Sequence, residues 1–379
     1  MELDRRTNLM LFYSVQSIFL GIILIIVSKR HKGFDKYQFL FAITWTVAVV
    51  SIRFRYGMSQ TDFYSSDQGT QLELINQLKE NGLRLSIDSV INGRYLVVIP
   101  ARLLNLFGID ELLALKFMQA ICLSIIYKLC SKSLLEASIK PKLWHTIFFA
   151  GPLFIFISTI GLRDIQIVLC TTYFFFGRSA NGKIISLFFA TLLRPHLAVA
   201  LVFGWLIGLY LKKFSPKRIY LFLFLVVIFA FPAGGYGFAL GGLLKYKVNY
   251  SSPTIFEQAS WWRLFSNIVG LQFLTFGENV VKFSVTQLLS LRLFFIDSFL
   301  VPILFIATML KQSLPLSNLR IQVFASFVFF LGLVAQTNFN STRQNLPFLS
   351  TMGVLALLGL LRRSTQDSTN SRAEVATLN

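Results

Sequence analysis

One feature recurs along this chain and leaves it few folding options: stretches of about 20 residues with almost no charge. Leu9 to Ser28 is the first of them, and comparable runs follow to the C-terminal region. An α-helix of that length crosses a hydrocarbon core of roughly 30 Å. A backbone placed in lipid must satisfy its own hydrogen bonds, so such runs are read as helices. Composition agrees, with 55% hydrophobic and 14% charged residues and 40 phenylalanines, where soluble domains carry about a quarter charged residues. The expected fold is an all-α polytopic integral membrane protein. No small-residue cleavage site follows Leu9 to Ser28, which therefore reads as a span and not as a cleaved signal. Cys122, Cys130 and Cys170 fall in or beside apolar runs, with neither metal-site nor disulfide-framework spacing. They are expected to be small core residues.

The formal net charge is +19, but its distribution argues against nucleic acid as a partner. Lysines and arginines fall in short clusters between apolar runs: Lys29 to Lys36, Lys132 to Lys142, Arg178 to Lys183, Lys212 to Arg218, Lys311 to Arg320, and Arg362 with Arg363. Clusters of this kind orient membrane proteins and face the cytoplasm. The expected spans are 9–28, 38–53, 112–130, 143–160, 164–177, 184–193, 196–211, 219–233, 285–310, 320–337 and 346–361. That makes about 11 transmembrane helices in one membrane-embedded domain over 1–363, with the N-terminus outside. Residues 54–110 and 234–284 form large extracytoplasmic loops, the first a loop domain carrying amphipathic helices. Residues 364–379 form a polar cytoplasmic tail. The stretch Ile184 to Leu211 is apolar throughout but has basic flanks at both ends. A break at Arg194-Pro195-His196 returns both flanks to one side, and proline ends or kinks a helix at the residue before it.

This topology gathers the unusual polar residues on the outer face. Within "SDQGTQLELINQLKENG" (Ser66 to Gly82), Leu72, Ile75 and Leu78 form one helical stripe and Asn81-Gly82 a stop signal. Asp67 is then the expected N-cap of a helix beginning near Gly69. Asp62 has no capping role and reads either as a solvated loop acid or as a general base for a sugar hydroxyl, a role open to Asp67 as well. Arg163, Arg194 and Arg343 each end a different span, and Arg53 and Arg55 flank the first large loop. Converging arginines suit a phosphate or pyrophosphate, which they hold by bidentate bonds; the alternative is snorkelling to lipid headgroups. Asp164 either caps the following span or pairs with Arg194. His196 is a candidate general acid or base, or a headgroup hydrogen-bonder. Trp261, Trp262 and Arg263 are interface-belt residues or a sugar-stacking platform. The sequence carries no Walker loop, HExxH motif or Cys/His cluster, so no metal or cofactor is expected.

The layout of two spans leading into "IRFRYGMSQTDFYSSD", then "GLRDIQI", "LLRPHLAVAL" and "NSTRQNLP" before the last span, resembles bacterial O-antigen and exopolysaccharide polymerases. The passage from "SDQGTQLELINQLKENG" through "GRYLVVIPARLLNLFGIDELLALKFMQAI" equally resembles the first outer loop of GT-C glycosyltransferases. Two spans precede the acidic loop where GT-C enzymes usually have one, which favours the polymerase side. Either resemblance implies a bacterial inner-membrane enzyme with an extracytoplasmic active face. It would transfer sugar from a polyprenyl-phosphate-linked or pyrophosphate-linked donor to a glycan or lipid-linked acceptor, with membrane lipids around it. An acid of the first loop would deprotonate the acceptor, and the arginines would stabilise the departing phosphate. The rival reading is a lipid-linked oligosaccharide flippase, which should show cationic residues through the bilayer midplane.

Overall fold

A computed structural model describes residues 2–29, 35–56, 65–81, 94–211, 300–309, 318–335 and 346–377. Among them no strand occurs. The helices are α1 (Glu2–Lys29), α2 (Lys36–Tyr56), α3 (Ser65–Asn81), α4 (Arg94–Asn105) and α5 (Glu111–Glu136). A 3-10 turn (Leu143–Thr146) then leads into α6 (Ile147–Ala150), α7 (Pro152–Ile160), α8 (Asp164–Phe176), α9 (Ala180–Leu193) and α10 (Pro195–Leu211). The remainder are α11 (Leu300–Met309), α12 (Asn318–Ala335) and α13 (Leu346–Thr377).

The long central helix α5 starts where Asp110 Oδ1 accepts from Leu113 N at 3.0 Å, an N-cap that satisfies one orphan donor. It touches α1, α2, α3, α4, α6, α7, α8 and α13. Its partners pack by side-chain size and ring geometry. Tyr37 of α2 stacks on Tyr127 at 4.2 Å, and Trp45 meets Phe117 at 6.2 Å, so α2 and α5 run antiparallel. A second seam joins α10 to α12. Gly204 and Gly208 sit one helical turn apart, and a Cβ on either would lie 1.9 Å from Ser326 Oγ or 2.1 Å from Gln322 Cγ. Small residues at this spacing let two helices approach where apolar burial alone gives no drive. The three cysteines are free and buried, as core residues.

On length and composition three helical segments suffice to cross a membrane: Thr7–Ile26, Lys36–Phe54 and Glu111–Glu136. These apolar helices mark a membrane protein. The other described apolar helices are shorter, of 10–17 residues, so among the described residues three helices pass on length and composition, or four with one bent pair, where about eleven spans are expected along the whole chain. That pair is the expected span 143–160. It is not one helix: Leu143–Ala150 and Pro152–Ile160 meet at 54°. Proline supplies no N–H to the carbonyl four residues back, and the bend frees neighbouring carbonyls. Each has a neighbour from another helix. Phe149 O accepts from Ser350 Oγ at 2.7 Å and Ala150 O from Tyr37 Oη at 2.5 Å, while Phe148 O lies against Gly353, where a Cβ would be 1.9 Å away. Residues 364–377, expected as a polar tail, continue α13. The expected span 219–233 and most of 285–310 lie outside the described residues, as does the loop 234–284.

Candidate functional site

A chain of contacts fixes which residues share an end of the bundle. Arg53, near the end of α2, lies over the Tyr13 ring at 5.2 Å. Gln16, one turn along α1, donates to Gly108 O at 2.7 Å and accepts from Asp110 N at 3.0 Å. Lys116 follows in the second turn of α5, fully buried. Against its Cγ and backbone packs Gly161, which ends α7 in the left-handed conformation (φ 83°). Glycine enters that conformation without a Cβ penalty, and an αL cap of this kind closes many helices. The chain then turns directly into Arg163 and Asp164 at the head of α8.

The joint between α9 and α10 meets it there. Arg194 is extended (φ −152°, ψ 90°), α9 ends at Leu193 and α10 begins at Pro195, so the break expected at Arg194-Pro195-His196 is present. Pro195 takes the first helical position, where a missing N–H costs nothing. The extended residue brings Arg194 Nη2 to 3.3 Å from Asp164 Oδ1, with side-chain exposures of 14% and 3%. Of the two roles expected for Asp164, pairing with Arg194 is the one observed. His196, half-buried, stacks on Phe330 of α12 at 5.5 Å. An arginine has five donors in a rigid fork, so a carboxylate that takes one nitrogen orients the remaining N–H groups. This end of the bundle thus holds three cationic residues, Lys116, Arg163 and Arg194, together with Asp164 and His196, and of these Arg194 and Asp164 are in contact.

The other candidates stand as follows. Asp67 lies inside α3, which begins at Ser65 and not near Gly69, so it occupies the first turn and not the N-cap. The stripe Leu72, Ile75 and Leu78 is buried, together with Leu74. The helix docks through Lys79, which forms an ion pair with Glu111 of α5, and it also packs on α4. Arg55 belongs to the last turn of α2. Asp62, Trp261, Trp262, Arg263 and Arg343 lie outside the described residues. Two further buried cations lie at this end of the bundle, Lys116 against Gly161 and Arg53 over the Tyr13 ring. Lys116 is a cation within an apolar run, and such residues are costly unless they serve a partner or cavity. Arg53 carried no signal beyond its place at a span end, yet only 7% of it is exposed. Among the described residues, no group of three or more His, Cys, Asp and Glu is placed to hold a metal.

The opposite end is built from the basic clusters. Asp35 Oδ1 accepts from Tyr127 Oη at 2.9 Å and from Tyr37 N at 3.0 Å. Arg178 Nη2 lies 2.6 Å from Glu136 Oε1. Residues of the clusters 29–36, 132–142 and 178–183 therefore share one end, away from Asp164 and Arg194. No protein-family model, no curated protein and no solved structure matches this chain.

Proposed function

We propose that this membrane protein is a glycosyltransferase of cell-surface polysaccharide assembly, acting on the extracytoplasmic face with a polyprenyl-phosphate-linked or pyrophosphate-linked sugar as donor. The observation that carries the reading is the largely buried Asp164–Arg194 pair, joined 30 residues apart in sequence, at the end of the bundle that also holds Arg163, Lys116 and His196. The positive-inside bias assigns the cation-rich end to the cytoplasm, and the opposite end, with this cluster, to the outer headgroup plane. A lipid-linked donor presents its phosphate at that depth. In the reaction the acceptor hydroxyl oxygen bonds to the anomeric carbon, and the bond from that carbon to the phosphate oxygen breaks. The electron pair leaves with the phosphate, and the hydroxyl proton passes to a general base. Arg163 and Arg194 stabilise the charge on the departing phosphate, with Asp164 orienting Arg194. His196 stands within the same turn of chain as an acid–base group, and the first-loop carboxylates Asp62 and Asp67 are the further candidates for the base.

The test uses membrane vesicles containing the full chain and an undecaprenyl-pyrophosphate-linked oligosaccharide, with glycan product resolved by length. Arg163→Ala and Arg194→Lys should each reduce transfer by roughly 10²–10³-fold, the usual loss for one preorganised electrostatic donor. Arg194→Lys keeps the charge and removes the fork. Wild-type protein that transfers no sugar, or an Arg163/Arg194 double variant that transfers normally, would sink the reading.

A further inference from the structure

The 54° bend between α6 and α7 opens a groove on the surface at the cation-rich end, with a volume of about 380 Å³. Tyr37, Leu40 and Thr44 of α2 form one wall; Trp144, Ile147 and Ile155 form the other. Leu40, Trp144 and Ile147 are each close to half exposed, at 46%, 48% and 49%. The groove lining is apolar, and the backbone acceptors near it are engaged. The carbonyls of Phe149 and Ala150 that the bend releases are taken by Ser350 and Tyr37, leaving few acceptors for a polar ligand.

We propose that this groove binds one acyl chain of an anionic phospholipid, with the lipid phosphate held between Lys36 and Lys142. Lys36 directly precedes the lining residue Tyr37, and Lys142 directly precedes the lining residue Leu143. Both lysines are exposed. Of the nearby carboxylates, Asp35 accepts from Tyr37 N and Tyr127 Oη, and Glu136 pairs with Arg178. From Tyr37 to Thr44 the α2 wall runs about 10 Å into the bilayer at 1.5 Å per residue. An acyl chain fills that depth while its headgroup stays level with the lysines. Trp144 sits at the rim, where aromatic rings with a polar N–H are favoured at the interface. A second copy of the chain fits less well. A two-fold contact through this groove would bring the same lysines against themselves.

The experiment takes the full chain in neutral detergent and titrates it with phosphatidylglycerol or phosphatidylcholine of identical acyl chains. Bound lipid and subunit count are read by native mass spectrometry, and melting temperature by thermal shift. Wild-type protein should retain phosphatidylglycerol in preference and gain melting temperature with it. Each surface lysine near an anionic headgroup contributes about fivefold in affinity, so Lys36→Gln with Lys142→Gln should weaken retention roughly 30-fold. Lys183→Gln, which removes a cation outside the groove lining and outside the Arg178–Glu136 pair, should leave it unchanged. Filling the groove from an exposed position, by Leu40→Trp or Thr44→Trp, should remove both lipids. The proposal fails if the two lipids behave alike in wild-type protein, or if the preference survives loss of Lys36 and Lys142. It fails equally if a filled groove still retains phosphatidylglycerol, or if delipidation yields a dimer that the Trp substitutions abolish.

Discussion

At the end of the bundle holding Asp164 and Arg194, charged side chains are sunk among the helices; at the end holding Lys36, Lys142 and Arg178 they stand in solvent. Arg53, Lys116 and Asp164 are all classed as buried at the first end. Among the described residues of the second, Arg320 is the exception, buried and donating to Leu355 O at 3.4 Å. A buried charge costs several kcal/mol unless a partner compensates it, whereas an exposed cation near a membrane surface costs little. The same residue types thus do different work at the two ends. On the proposed reading, exposed clusters orient the chain and meet lipid headgroups, while the buried charges depend on partners within the fold.

The largest effect should come from separating the buried pair. Arg194→Ala leaves Asp164 at 3% side-chain exposure without that guanidinium. The expected loss is about 3–5 kcal/mol, the usual cost of breaking a buried pair from one side. A double variant, Asp164→Asn with Arg194→Gln, removes both charges and should recover most of that stability in a thermal melt while transfer stays lost. Stability and transfer recovering together would mean the pair is structural only, and the contrast between the two ends would lose its functional half.

How much of this was legible in the sequence depended on whether the cause was local. The α9–α10 break was readable because proline at 195 acts on its own neighbours. The burial of the cysteines and of Leu72, Ile75 and Leu78 followed from apolar periodicity. The start of α3 was misplaced because Asp67 is a good cap by type, yet the chain enters the helix at Ser65. The bend at Gly151-Pro152 was missed, although proline signals it, because the hydropathy of 143–160 is continuous across it. Its stability rests on Tyr37 and Ser350, at sequence separations of 113 and 201, which no local pattern shows. The same holds for the Asp164–Arg194 contact, which sequence could offer only as one of two roles.

An intermediate effect should come from the bend itself. Tyr37→Phe keeps the ring that stacks on Tyr127 and removes the donor to Ala150 O. A buried carbonyl left without its hydroxyl partner costs about 1–3 kcal/mol. The melting temperature should fall, and sugar transfer at the far end should be retained in the folded fraction. Transfer lost at full stability would mean that the two ends are coupled, and the comparison would have to be redrawn as one connected site.

The smallest effect tests the comparison where distance and energy point in opposite directions. Arg178 and Glu136 approach to 2.6 Å, closer than the 3.3 Å between Arg194 and Asp164, yet their side chains are 69% and 44% exposed. Water and salt screen such a pair, and ordering two long side chains offsets much of the attraction, so exposed pairs contribute about 0.2–1 kcal/mol. Arg178→Gln, Glu136→Gln and the double variant should therefore lie within about 1 kcal/mol of wild type in a detergent melt. Whatever coupling the cycle yields should shrink as ionic strength rises, because the Debye length falls to roughly 3 Å at 1 M salt. The Asp164–Arg194 cycle run in parallel should keep its coupling at the same salt, since its groups are shielded from the solution. A salt-insensitive coupling of several kcal/mol at Arg178 would show that this end also buries its charges when assembled, and that exposure does not separate the two ends.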